Sequence, residues 1–287
     1  MDNFSSFNQF EGRSRESNQR TGSQRAGNQK EIGQGHVALV GAGPGDPELL
    51  TLRAYRVIQQ AEVLIYDRLV DARIVALVSP ECKKIYAGKR KHLHMLNQTQ
   101  IHDRLVEEAK AGRFVVRLKG GDPFIFGRGG EEIDVLTKEE ISWEVVPGIS
   151  AGIGAAAASG IALTHRDYAQ AVTFVTAHRR QGVLDIDWDL ALHGGQTVVF
   201  YMAVSVSQEL AQGLIDRGAA PSSQISVVSD ATCESEHVET LTLADLAREA
   251  LGISPRSVLI LHEVPRLKSP VYRSQGVDVF ERNVELI

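Results

Sequence analysis

The chain has 287 residues, 43% hydrophobic and 23% charged, with a formal net charge of −5 and a pI near 6.0. That is the composition of a globular protein long enough for two domains, and its charge gives no support for a dedicated nucleic-acid binder. Its two cysteines, Cys82 and Cys233, form no CxxC pair, which excludes a disulfide framework and a cysteine-rich metal centre. No stretch is apolar for long enough to span a membrane, and the N-terminus carries no apolar signal-peptide core, so a cytoplasmic enzyme is expected.

Residues 1–34 are rich in Asn, Gln, Ser, Gly and Arg and nearly lack aliphatic side chains. Such a segment cannot bury enough surface to offset its ordering entropy, so a disordered polar arm is expected. From His36 the pattern alternates. Apolar runs at Val37–Val40, Val63–Tyr66, Lys84–Tyr86, Phe114–Leu118 and Trp143–Val146 read as strands, with a helical pattern over Glu48–Ala61 and helices over Gln98–Lys110 and Gly129–Lys138. A second series follows after Pro147-Gly148: strands at Ala171–Thr176, Thr197–Tyr201, Ile225–Val228 and Ser257–Leu261, with helices over Ser205–Arg217 and Leu243–Leu251. Alternating strands and helices predict two α/β domains with mostly parallel sheets, over 35–147 and 148–268, followed by a polar tail over 269–287.

The first strand runs into Gly41-Ala42-Gly43-Pro44-Gly45-Asp46-Pro47. A dinucleotide fingerprint fails here, because Asp46 stands where the third glycine belongs and Pro44 removes an N–H. On this run alone, a ligand-binding turn and a ligand-free strand–helix turn are equally supported. The other conspicuous residues also follow strands: Asp67-Arg68, Gly88-Lys89-Arg90-Lys91, Lys119-Gly120-Gly121-Asp122-Pro123 and Pro147-Gly148. Ligands of an open parallel sheet bind at the carboxyl ends of the strands, so five loops are expected to converge on one cleft. It would carry Asp46, Asp67 and Asp122 beside Lys89, Arg90, Arg117, Lys119 and Arg128, a mixture suited to polycarboxylate or phosphate ligands. A nucleophile elbow, a Walker lysine and a metal-ligand spacing are all lacking, which favours a positional mechanism with no metal.

Together these runs resemble the uroporphyrinogen-III C-methyltransferases of the tetrapyrrole methylase superfamily, over about residues 35–268. The resemblance rests on Val40–Pro47, Tyr66-Asp67-Arg68-Leu69-Val70, Gly88-Lys89-Arg90, Val116–Phe124, Phe126-Gly127-Arg128-Gly129, Val146–Ile149, Leu163-Thr164-His165-Arg166-Asp167-Tyr168 and Phe200-Tyr201-Met202. It implies a cleft between two α/β domains that binds S-adenosylmethionine, a homodimer, and two methylations of uroporphyrinogen III that give precorrin-2 by way of precorrin-1. It carries cofactor contacts over to Pro44, Gly120, Gly121, Asp122, Ile125, Ser150, Ala151 and Met202, a proton acceptor to Asp67 and a proton donor to Lys89. Arg90, Arg117, Arg128 and Arg166 are candidates for the substrate's carboxylates.

The chain departs from the family pattern at Ala203 and Ala231, where glycines are usual; Ala231 falls on a cofactor contact, and its methyl is expected to crowd the site or shift the backbone. Rival readings are a methylase of a later corrin intermediate, a non-catalytic S-adenosylmethionine-binding regulator and, weakest, a nicotinamide dehydrogenase.

Overall fold

The computed structural model describes residues 35–88, 96–180, 182–248, 252 and 254–267; the expected arm over 1–34 and the tail over 269–287 lie outside them. The first half is built from β1 (His36–Gly41), α1 (Leu52–Gln59), β2 (Val63–Tyr66), α2 (Ala72–Val75), β3 (Lys83–Tyr86), α3 (Gln98–Lys110), β4 (Phe114–Lys119), α4 (Gly129–Lys138) and β5 (Ser142–Val146). These strands form one five-stranded sheet in the order β3-β2-β4-β1-β5, with every pair parallel. Both faces are covered, which is why β1 reads as a continuous apolar run. Val37 and Leu39 pack with Leu105 and Ala109 of α3, while Ala38 and Val40 pack with Val57 and Ile58 of α1.

Side chains set the helix starts. Thr51 accepts a hydrogen bond from the Ala54 N–H at 3.1 Å and begins α1. The helical pattern expected over Glu48–Ala61 is therefore broken into a 3-10 turn at Pro47–Leu49, capped by Asp46, and a separate helix. Asn97 and Gln100 form a reciprocal capping box on α3.

The second half contains α5 (Ala151–Ser159), β6 (Ala171–Thr176), β7 (Arg179–Arg180), β8 (Val183–Leu184), α6 (Trp188–Ala191), β9 (Gln196–Tyr201), α7 (Ser207–Asp216), β10 (Gln224–Ser229), β11 (His237–Thr242), α8 (Leu243–Arg248) and β12 (Ser257–Leu261). Its main sheet runs β11-β10-β12-β9-β6. Only β6 and β9 are parallel; the pairs β9–β12, β12–β10 and β10–β11 are antiparallel. The expectation of a mostly parallel sheet thus holds for the first half and is corrected for the second. The short turn from Ser229 to His237 cannot make a parallel crossover, which needs a dozen or more residues, so β11 returns antiparallel beside β10. One face of this sheet packs on α7 and α8 through Phe200, Leu210, Leu214 and Leu246; the other packs on α5 through Val199 and Ala155.

The carboxyl ends of β1 and β4 are joined by backbone, and that of β5 is tied to them through the Asp122 side chain. Gly43 and Gly121 exchange hydrogen bonds of 3.1 and 2.8 Å, and the Gly148 N–H donates to Asp122 Oδ2 at 3.0 Å. A Cβ on Gly148 would lie 2.3 Å from the Gly121 carbonyl oxygen, so glycine is required for these loops to meet. α5 reaches the same turn: a Cβ on Gly154 would fall 2.5 Å from Pro44 Cβ.

Candidate active site

The converging loops line a cleft of about 890 Å³ that residues of both halves wall. All nine residues expected to touch a cofactor line it: Pro44, Gly120, Gly121, Asp122, Ile125, Ser150, Ala151, Met202 and Ala231. So do Asp67, Arg117 and Arg128. Arg166 is brought elsewhere, to an exposed tight turn closed by reciprocal bonds between His165 and Ala169. Lys89 and Arg90 lie outside the described residues. Asp46 is buried as the cap of the Pro47–Leu49 turn, and its N–H donates to Thr232 Oγ1 at 3.1 Å, so it joins the two halves rather than lining the cleft. Ala203 is fully buried in the second half's core and is not a lining residue.

The first half supplies charge. Arg117 and Lys119 are two apart on β4 and therefore share one face, which α3 and α4 cover. Arg117 Nη2 donates to Asp67 Oδ2 at 3.2 Å, and Arg117 Nε donates to Glu132 Oε1 at 3.1 Å. Its Nη1 reaches the carbonyls of Leu118 at 3.0 Å and Ile65 at 3.4 Å. Lys119 Nζ donates to both oxygens of Glu132 at 2.9 Å. The side chains of Arg117, Lys119 and Glu132 are 4%, 6% and 0% exposed, while that of Asp67 is 27% exposed. Burial lowers the Lys119 pKa, as does the neighbouring Arg117, and Glu132 opposes both. Asp67 Oδ1 accepts from the Leu69 N–H at 2.9 Å, so both carboxylate oxygens are held.

Arg117 lines the cleft with its guanidinium held by protein carboxylates and carbonyls, and one of those bonds is to Asp67. Arg128 differs: it is exposed and pairs with the equally exposed Glu131 at 2.6 Å.

The second half supplies shape. The Tyr201 hydroxyl, at the end of β9, accepts from the Gly152 N–H at 2.8 Å and shares a 2.8 Å bond with Ser150 Oγ. Ser150 makes no capping bond of its own, so a side chain from the sheet caps α5. Burial pushes the Tyr201 hydroxyl up, against the hydrogen bonds from Ser150 and Gly152, which keeps it protonated. The Phe126 ring lies 5.0 Å from that of Tyr201. Backbone strain gathers here too. Phe126, Arg128, Met202 and Asp230 line the cleft with φ of +51°, +59°, +56° and +47°, in the left-handed region that side chains disfavour. Asp230 is fixed by Arg256 Nε at 2.6 Å.

Glu132 has no place in the sequence reading, and Tyr201 enters it only within the run Phe200-Tyr201-Met202, with no role of its own. The one signal for Glu132 was the pair of like charges on β4, which requires a buried anion if that face is covered. Among the described residues, no group of three or more His, Cys, Asp or Glu is placed to hold a metal.

The sequence profile of the tetrapyrrole (corrin/porphyrin) methylases matches residues 36–247. A siroheme synthase from Thioalkalivibrio sulfidiphilus is 49% identical over 236 residues, which cover 81% of this chain and 48% of that protein. The chain thus spans about half the length of the curated relatives it matches. The native uroporphyrin III C-methyl transferase of Thermus thermophilus superposes with a TM-score of 0.70 at 40% identity, covering 79% of this chain and 97% of that one. A uroporphyrin-III C-methyl transferase from Thermus thermophilus complexed with S-adenyl homocysteine superposes with a TM-score of 0.70 at 38% identity, covering 82% of this chain and 97% of that one.

Proposed function

The chain belongs to the tetrapyrrole (corrin/porphyrin) methylase family, and from that premise we propose that it is an S-adenosylmethionine-dependent C-methyltransferase that converts uroporphyrinogen III to precorrin-2 through precorrin-1. One observation carries the reading: the residues that the resemblance marks for cofactor contact all line the cleft that also holds Asp67. Kinship to a uroporphyrin III C-methyl transferase, at 40% identity over nearly its whole length, supports the same reading.

The lining suits the methyl donor. Pro44, Ile125, Ala151, Met202 and Ala231 give an apolar surface, and Gly120 and Gly121 let backbone approach closely. When bound, S-adenosylmethionine supplies an electrophilic methyl group for direct transfer to a pyrrole carbon, so no protein nucleophile is required. The protein's contribution is alignment and a site for the proton that the methylated macrocycle must lose. Asp67 is that acceptor. Its orientation is fixed by the Leu69 N–H and by Arg117, and it remains the exposed member of its ion-pair cluster. Arg128, with Arg90, would meet the carboxylates of the substrate, and Lys89 would return a proton. The reading includes a division into domains at 35–147 and 148–268, a homodimer and a cytoplasmic location; among the described residues no helix is long and apolar enough to cross a membrane.

The test is an anaerobic incubation of the purified chain with uroporphyrinogen III and S-adenosylmethionine, read by product mass. A gain of two methyl groups is expected. No gain, with both reactants intact, overturns the reading.

A further inference from the structure

We infer that Glu132 is a positioning residue of this site: from behind the cleft wall it clamps Arg117 and Lys119, and through Arg117 it sets the orientation of the Asp67 carboxylate. The inference rests on the proposed methyltransferase reading and deepens it.

Glu132 does not line the cleft, and its side chain is fully buried in the first turn of α4. It nevertheless gathers three donors: Arg117 Nε at 3.1 Å, Lys119 Nζ at 2.9 Å and Gln98 Nε2 at 3.4 Å. The result is a chain of alternating sign, Asp67, Arg117, Glu132 and Lys119. Its two ends, Asp67 and Lys119, line the cleft, and its middle anion is sealed from solvent. Among the described residues, Glu132 is the one carboxylate that hydrogen-bonds both cations; Asp67 pairs with Arg117 and acts on Lys119 only through its charge. The helix N-terminus favours a negative charge at this position, which adds to the pairing.

The geometry makes the coupling directional. Arg117 presents Nε to Glu132 and Nη2 to Asp67, so the planar guanidinium has one edge on each carboxylate. Loss of the Glu132 charge would release one edge and leave two neighbouring buried cations without an anion between them. Arg117 would then turn toward the remaining carboxylate, and the Asp67 oxygen that it holds would leave its place. Among the described residues, the side chains of Asp67, Arg117, Lys119 and Glu132 make no hydrogen bond to Pro44, Ala151 or Ala231, so donor affinity should be insulated from the change.

Glu132→Gln separates this role from a merely structural one. The expected result is a kcat lower by at least about tenfold, while KM for S-adenosylmethionine and the calorimetric Kd for S-adenosylhomocysteine stay within about threefold. An unchanged kcat overturns the inference, as does a loss of S-adenosylhomocysteine affinity that matches the loss of rate. If the single variant does not fold, the charge-balanced pair Glu132→Gln with Lys119→Met is read against Lys119→Met alone. A further tenfold fall supports the inference, and none overturns it. The wild type measured in parallel separates the two claims. A wild type that adds no methyl group overturns the methyltransferase reading and the inference with it; an active wild type matched by its variant overturns the inference alone.

Discussion

In the first half of the molecule, the cleft wall is made by side chains at the carboxyl ends of a parallel sheet, where Asp67, Arg117 and Lys119 are fixed through ion pairs with each other and with Glu132. In the second half, the facing wall comes from a mixed sheet and is made largely by backbone and apolar surface, with Tyr201 capping α5 and left-handed residues at Met202 and Asp230. Parallel strands bring several chain ends to one edge, so charged loops from β2 and β4 can meet. A mixed sheet sends neighbouring strand ends in opposite directions, and β9 and β10 contribute single turns instead. The division predicts that variants of the first half's ion-pair cluster, Asp67, Arg117, Glu132 and Lys119, act mainly on kcat, whereas second-half variants act mainly on stability and donor affinity.

The sharpest test of that division is Asp67→Asn. The amide keeps the size and the Leu69 contact but cannot take a proton at neutral pH. We expect kcat to fall by about 10²- to 10⁴-fold, the usual worth of a positioned base, with S-adenosylhomocysteine affinity nearly unchanged in calorimetry. A loss confined to affinity would place the chemistry outside the first half and break the comparison.

The first half was the more legible in sequence for the same physical reason. Strands buried on both faces show as continuous apolar runs, and β1, β2, β4 and β5 were read within a residue or so. The loops that follow them carry glycines required by a left-handed backbone at Gly121 and by close contact at Gly148, so the cleft could be placed before its geometry was known. The second half hid more. α5, Ala-Gly-Ile-Gly-Ala-Ala-Ala-Ala-Ser, has no apolar stripe, because its small residues pack close on both Pro44 and Tyr201. β11 is a short, half-buried strand whose direction depends on the brevity of the preceding turn, not on its own residues. Strand periodicity placed Arg117 and Lys119 on one face. It does not say whether the anion they meet belongs to a ligand or to the protein, and here the anion is Glu132.

Tyr201→Phe sharpens the comparison from the other side. The change leaves the ring contacts with Phe126 and Phe174 in place and removes the acceptor for the Gly152 N–H. A buried donor left unpaired costs about 1–3 kcal/mol, so a lower melting temperature is expected by calorimetry, with kcat at saturating donor within about threefold of the wild type. A large fall in kcat without a fall in melting temperature would give the second half a chemical role and erase the distinction.

Ala231→Gly carries the smallest expected effect and bears on the family departure directly. Ala231 lines the cleft yet is only 8% exposed, and it belongs to the core cluster formed with Tyr201, Val228 and Val258. Much of its surface is therefore engaged with the protein. Removing the methyl loses about 0.8 kcal/mol of burial and adds about 0.5–1 kcal/mol of backbone entropy cost, so stability should drop by about 1–2 kcal/mol. S-adenosylhomocysteine affinity should change by less than about threefold, because a methyl turned toward the core takes no space from the cleft. Isothermal titration decides it. A gain of tenfold or more, equivalent to about 1.4 kcal/mol, would mean that the alanine methyl crowds the donor after all, and that the second half limits affinity at this position by overpacking.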